Sequence, residues 1–228
     1  MGSILDPIRF PWELVAGGLG ASSVWTSGQL VHPLAIEVST TLPTITTAGN
    51  PFRPPSDDKD FIRTSCRTTL YPQTCFTSLA GHSYSVNQDP GRLARVAIGV
   101  TLSRANHMAK YVANVSRYAD YYSSPRVAAA VHDCCSVFGD AVDGIRGSLR
   151  QMRQLGGSGE ALRFQLSNVQ TWMSAALTNE ETCTDGFEDV PDDGVKAAVF
   201  RRAVKVKEVT SNALALVNTF ANTIQITP

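Results

Sequence analysis

The sequence predicts an all-α fold: an up-and-down four-helix bundle preceded by a helical hairpin. Three observations carry that expectation. Apolar residues recur at spacings of three and four along four long segments. Two of these segments open on a capping residue followed by proline, Asp89-Pro90 and Ser124-Pro125. No proline interrupts residues 126–190. With 228 residues and 43% hydrophobic content, the chain can bury a core, which excludes disorder throughout.

Residues 1–55 differ from the rest. They hold seven of the twelve prolines, none of the five cysteines, and a Thr/Ser-rich run over 39–47. No periodicity persists there, so the segment reads as irregular or disordered. It makes a poor secretory leader, because Asp6 and Pro7 interrupt its start and the apolar run after Leu14 is short and Gly-rich.

Residues 56–228 read as one helical domain. Ser56-Asp57-Asp58 offers an N-cap with acids in the first turn, and Phe61 and Ile62 begin an apolar stripe. Tyr71-Pro72 breaks that helix and starts a second, giving a hairpin over about 57–80. The bundle spans about 89–226. Its first helix carries Leu93, Val96, Ala97, Val100, Ala105, Met108, Val112 and Val115. The second carries Val127, Val131, Cys134, Phe138, Val142, Ile145, Leu149 and Met152, and Gly156-Gly157-Ser158-Gly159 ends it. The third runs from about Glu160 to Thr182 along Leu162, Leu166, Val169, Met173 and Ala176. The last starts near Asp193, with Val195, Val199, Val206, Val209, Ala213, Leu216, Val217, Phe220 and Ile224 as its stripe. Short connections favour antiparallel neighbours.

The charge pattern is plain. Twenty Lys and Arg balance twenty Asp and Glu, which argues against a nucleic-acid binder. No apolar run is long enough to cross a membrane. Arg201, Arg202, Lys205 and Lys207 read as an exposed polar face. Glu180, Glu181, Asp185, Glu188, Asp189, Asp192 and Asp193 read as a solvated loop and helix start, without the alternating pattern of a calcium loop. His132-Asp133-Cys134-Cys135 invites a catalytic or metal reading, yet no second His/Cys pair has suitable spacing. No phosphate loop, nucleophile elbow or His-Glu-x-x-His helix is present, so neither an enzyme nor a cofactor is expected. Trp172 and Phe220 are expected in the core. Asn114-Val115-Ser116 is a glycosylation sequon on a helix.

The cysteines sharpen the picture. Cys66 and Cys75 flank the Tyr71-Pro72 break, where two short antiparallel helices would bring them together; Cys134 and Cys183 lie on the second and third bundle helices. Five buried thiols in a reducing compartment is the competing account. The run Asp60-Phe61-Ile62-Arg63-Thr64-Ser65-Cys66 through Tyr71-Pro72-Gln73-Thr74-Cys75 resembles the first cysteine motif of the plant invertase and pectin methylesterase inhibitor family. His132-Asp133-Cys134 with Asp140-Ala141-Val142-Asp143 resembles that family's third-cysteine helix, and Asn168 to Phe187 resembles its fourth-cysteine motif. The likeness covers about residues 57–226.

The resemblance implies disulfides Cys66–Cys75 and Cys134–Cys183, and an all-α, up-and-down four-helix bundle with an N-terminal helical hairpin. Cys135 is an addition to the pattern. Adjacent helical residues point about 100° apart, so only one of the pair can face the third helix, and Cys134 matches the motif. The stretch from Val169 to Cys183 resembles the pectin methylesterase inhibitors. The Pro-Lys-Phe element of invertase inhibitors is missing from Gly159 to Phe164. The implied partner is therefore a pectin methylesterase, with acid invertase as the alternative. The implied action is a monomer covering the enzyme's substrate cleft one-to-one in the cell wall. In the family the third bundle helix and its neighbour meet the enzyme, so the candidates here are Gln170, Ser174, Thr178, Asn179 and Thr182. Similar motifs occur in pro-regions of some pectin methylesterases; with the chain read as it stands to Pro228, a freestanding inhibitor is expected. A helical pro-domain or small-ligand carrier is the remaining class, and a filled interior would argue against the carrier.

Overall fold

The computed structural model describes residues 55–192 and 194–226. The expected irregular segment, the leader and Asp193 lie outside them, apart from Pro55, which opens the first helix. Seven α-helices appear among the described residues: α1 (Pro55–Cys66), α2 (Pro72–Leu79), α3 (Ser83–Val86), α4 (Pro90–Tyr122), α5 (Pro125–Arg153), α6 (Gly159–Asp185) and α7 (Gly194–Ile226). Neighbours in sequence pack side by side from α4 to α7, and α7 returns against α4. This is the expected four-helix bundle.

The local chemistry at the helix starts follows the sequence. Asp89 Oδ1 accepts the Arg92 backbone N–H at 2.6 Å, and Ser124 Oγ accepts that of Val127 at 3.4 Å. Pro90 and Pro125 stand first in their helices, where no N–H is needed. Asp89→Ala is expected to cost about 1 kcal/mol of stability by removing an acceptor from an otherwise unpaired helix-start donor. Urea denaturation checks this, and an unchanged midpoint would mean water replaces the cap without loss. Between α5 and α6 the chain reverses through Gly157, whose φ of 77° lies where only glycine is unstrained.

The bundle interior is filled by side chains from all four helices, among them Leu93, Ile98, Val112, Phe138, Ile145, Leu166, Met173 and Val217, each essentially inaccessible to solvent. Close approach of α5 to α6 depends on small residues. A β-carbon on Gly144 would lie 3.1 Å from the Trp172 carbonyl oxygen, and one on Gly147 would lie 3.4 Å from the Trp172 ring.

The hairpin is seated on α7 by polar contacts. Asn212 is buried; its Oδ1 accepts the Tyr71 N–H at 3.1 Å, and its Nδ2 donates to the Tyr71 carbonyl at 2.9 Å. Thr74 Oγ1 donates to Glu208 Oε2 at 2.9 Å. Cys66 and Cys75 are joined, with α-carbons 5.6 Å apart.

Four expectations need correction. α1 begins at Pro55, so Ser56 lies inside the helix rather than capping it. The hairpin continues past residue 80, through a single 3-10 turn (Ala80–His82) into α3, which buries Val86. Along α4 the buried stripe takes Ala94, Ile98 and Thr101 in preference to Val96 and Val100. Trp172 is 38% exposed, because Gly147 of α5 receives only part of its ring.

Candidate functional site

α6 has two contrasting sides. Its inner side is Leu166, Val169, Met173, Ala176, Glu180 and Cys183, all buried. Cys183 is bonded to Cys134 of α5, with α-carbons 4.3 Å apart. The covalent tie and the glycine-floored contact fix α6 against α5 from behind. Cys135, next in sequence, is half-buried and unbonded.

The middle of the outer side, between exposed Phe164 and exposed Glu181, carries small uncharged residues. Gln170, Ser174 and Thr178 line a shallow groove with Leu214 and Asn218 of α7. Gln170 Nε2 donates to Asn218 Oδ1 at 2.9 Å across it. Thr182 is exposed one turn beyond Thr178, and its hydroxyl donates to the Thr178 carbonyl at 2.9 Å. Spending the hydroxyl proton on its own helix leaves oxygen lone pairs and a methyl group outward. These four residues recur every fourth position and form one strip. Asn179 does not line the groove, though it lies near Thr182, three residues on. It stands half a turn from Gln170, on the flank that carries Trp172 seven residues earlier, and is half-buried.

Glu180 departs from the sequence reading. It is fully buried where a solvated acid was expected. Burial pushes its pKa up to about 8; contact with Thr210 and the charge of Lys207 oppose the rise, and neighbouring Glu181 adds to it. Thr210 Oγ1 donates to Glu180 Oε1 at 2.8 Å and lies 3.1 Å from the Val206 carbonyl, while Glu180 Oε2 has no partner among the described residues. While Glu180 is ionised, the one Thr210 proton serves two acceptors, the carboxylate and the Val206 carbonyl; protonation of Glu180 relieves that competition by adding a donor.

The catalytic and metal candidates do not assemble. His132 Nε2 lies 2.8 Å from Asp120 Oδ1, both half exposed, which ties α5 to the end of α4. No group of three or more His, Cys, Asp or Glu converges among the described residues. No described helix is long and apolar enough to cross a membrane. Asn114 is exposed on α4 and accepts a hydrogen bond from Arg117, whereas Ser116 of the same sequon is buried.

The family model of plant invertase/pectin methylesterase inhibitors matches residues 60–216. The chain belongs to this family. It is a family of inhibitors rather than enzymes, which moves attention from reacting groups to a binding face. Pectinesterase inhibitor 10 of Arabidopsis thaliana is 40% identical over 165 residues, covering 72% of this chain; the chain spans about half of that relative, 52%. Pectinesterase inhibitor 11 of the same plant is also 40% identical over 165 residues, covering 71% of this chain and 81% of the relative. The crystal structure of a mutant form of a pectin methylesterase inhibitor from Arabidopsis matches with a TM-score of 0.56 and 20% identity. It covers 69% of this chain and 95% of that one, and so supports the fold.

Proposed function

We propose that this inhibitor acts on a pectin methylesterase, as a monomer, by laying the α6–α7 face across the substrate cleft in a one-to-one complex. The observation that carries this reading is the strip of Gln170, Ser174, Thr178 and Thr182. It is a low-relief, hydrogen-bonding surface, uncharged as far as Glu181 near its end, on a helix braced from behind by a disulfide. A preorganised face loses little freedom on docking. Small side chains let a helix backbone approach closely, and desolvating hydroxyls and amides costs far less than desolvating ions. The two disulfides favour an oxidising compartment, so the protein works outside the cell, at the wall.

Titration of the oxidised protein against a plant pectin methylesterase and, separately, an acid invertase tests this. Stoichiometric inhibition of the first alone is expected. Inhibition of the second alone would transfer the same face to the other target, and inhibition of neither would end the reading. Thr178→Ala is expected to raise the inhibition constant severalfold, as befits one interface residue, at an unchanged melting temperature. Asn179→Ala, off the strip, is expected to change it less. The reverse order would place the contact on the α5 side of α6.

A further inference from the structure

The inhibitory reading leaves unused a strip of positive charge centred on α4. α4 packs on α5 and α7, as α6 does, so the two helices lie diagonally across the bundle. In the furrow between α4 and α7, Arg104 meets Arg201, Arg202 and Lys205. Arg104 also edges a second furrow, shared with the hairpin and the end of α5, where Arg95 and Arg153 join it. His107 and His82 add one imidazole to each furrow. No Asp or Glu lines either. The nearby acid is Glu208, which sits 3.3 Å from Lys205 and also accepts from Thr74. The other contacts in the strip are neutral. Arg104 reaches the Ser78 hydroxyl at 3.4 Å; Arg202 donates to the Ala198 carbonyl at 3.1 Å and lies 4.2 Å over the Tyr111 ring.

This is segregation of charge in a chain whose net charge is zero. On α7 the basic residues stand about half a turn from Leu214 and Asn218 of the inhibitory groove. Occupying one face therefore leaves the other open. Five of the six cations are arginines, whose planar forks match carboxylates bidentately. Two open furrows joined at Arg104 suit an extended chain with repeated anions better than a compact ligand.

We propose that this strip binds a linear polyuronate, namely de-esterified pectin, through its carboxylates. The choice of polymer rests on the proposed function. Methyl-esterified pectin is neutral at each ester, and the enzyme's product carries a carboxylate there. The inhibitor would thus be held where de-esterification has already occurred, with its α6–α7 face still free to meet enzyme.

Affinity electrophoresis of the whole protein through gels containing polygalacturonate tests the idea, with highly methylesterified pectin as the neutral control. Retardation by polygalacturonate alone, weakening as salt rises, is expected. The exposed triple variant Arg95→Gln/Arg104→Gln/Arg202→Gln is expected to bind roughly tenfold more weakly, while its melting temperature and enzyme inhibition stay unchanged. Lysine at the same three positions is expected to restore part of the binding. Absence of retardation, equal retardation by esterified pectin, or an unaffected triple variant would overturn the proposal. Tighter binding to single-stranded DNA or to anionic vesicles would overturn it as well. Polyuronate binding without inhibition of any enzyme would instead strike the proposed function and leave the strip standing.

Discussion

The double variant Cys134→Ala/Cys183→Ala is expected to lose about 4 kcal/mol of stability, from the loop of 49 residues that the bond closes. In a domain of this size that is a large part of the whole margin, and it corresponds to a fall in melting temperature of roughly 10 °C. Guanidinium denaturation of both proteins under oxidising conditions measures it. The bond between Cys66 and Cys75 spans only 9 positions, so its loss is expected to cost less, about 2.5 kcal/mol. The order of the two effects is the informative result. If the hairpin bond proved the costlier, unfolded-chain entropy would not be the governing term. The single variant Cys134→Ala adds a second check, because it leaves Cys183 unpaired and Cys135 the other free thiol among the described residues. Cys135 points about 100° away from the α6 contact, so Cys183 is expected to remain reduced. A Cys135–Cys183 crosslink in mass spectrometry would mean that α5 can rotate, and that the fixed backing of the proposed binding face is looser than the geometry implies.

Much of this architecture was legible because local signals agreed with global ones. Asp89-Pro90 and Ser124-Pro125 each join a cap, a proline and an apolar stripe, and α4 and α5 begin at those prolines. α1 was harder to place, since Ser56 resembles a cap but stands behind a proline that is itself helical. α3 has only four residues, too few for periodicity to register, and is held by burial of Val86. On α4, Ala94, Ile98 and Thr101 hold core positions, while Val96 and Val100 of the apolar pattern stand at the margin of the core.

The candidate face was partly legible. Spacing of four placed Gln170, Ser174, Thr178 and Thr182 together, and the groove with α7 agrees for the first three. Asn179 lies outside that groove, on the flank shared with Trp172. The basic strip was hidden because its members come from three helices far apart in sequence; only Arg201, Arg202 and Lys205 are neighbours in the chain. Glu180 was legible in principle. Leu166, Val169, Met173, Ala176, Glu180 and Cys183 alternate spacings of three and four without a break, so the register pointed the acid inward. The acids that follow it in sequence, Glu181 and Asp185, are exposed and mask that register.

Glu180→Gln is expected to remove a pH dependence from the stability of the protein. The folded state holds the Glu180 proton up to about pH 8, whereas the ordinary value is 4.5. Between these limits the folded protein binds the extra proton, so stability falls as pH rises, by up to about 1.4 kcal/mol per unit. The contribution is fully present below the ordinary carboxylate range and lost as pH passes through about 8. The total is on the order of a few kcal/mol, enough to matter against a margin of about 5–15 kcal/mol. Lys207 offsets little of this, since it is drawn to the Thr184 hydroxyl at 3.3 Å and to Glu181 at 3.9 Å. Glutamine matches the protonated acid in shape and neutrality, and its amide can still pair with the Thr210 hydroxyl. Wild type and variant should therefore unfold at similar urea concentrations at pH 4.5, and the variant should be clearly more stable at pH 8. Parallel pH profiles would mean that water reaches the carboxylate and that Glu180 ionises without penalty.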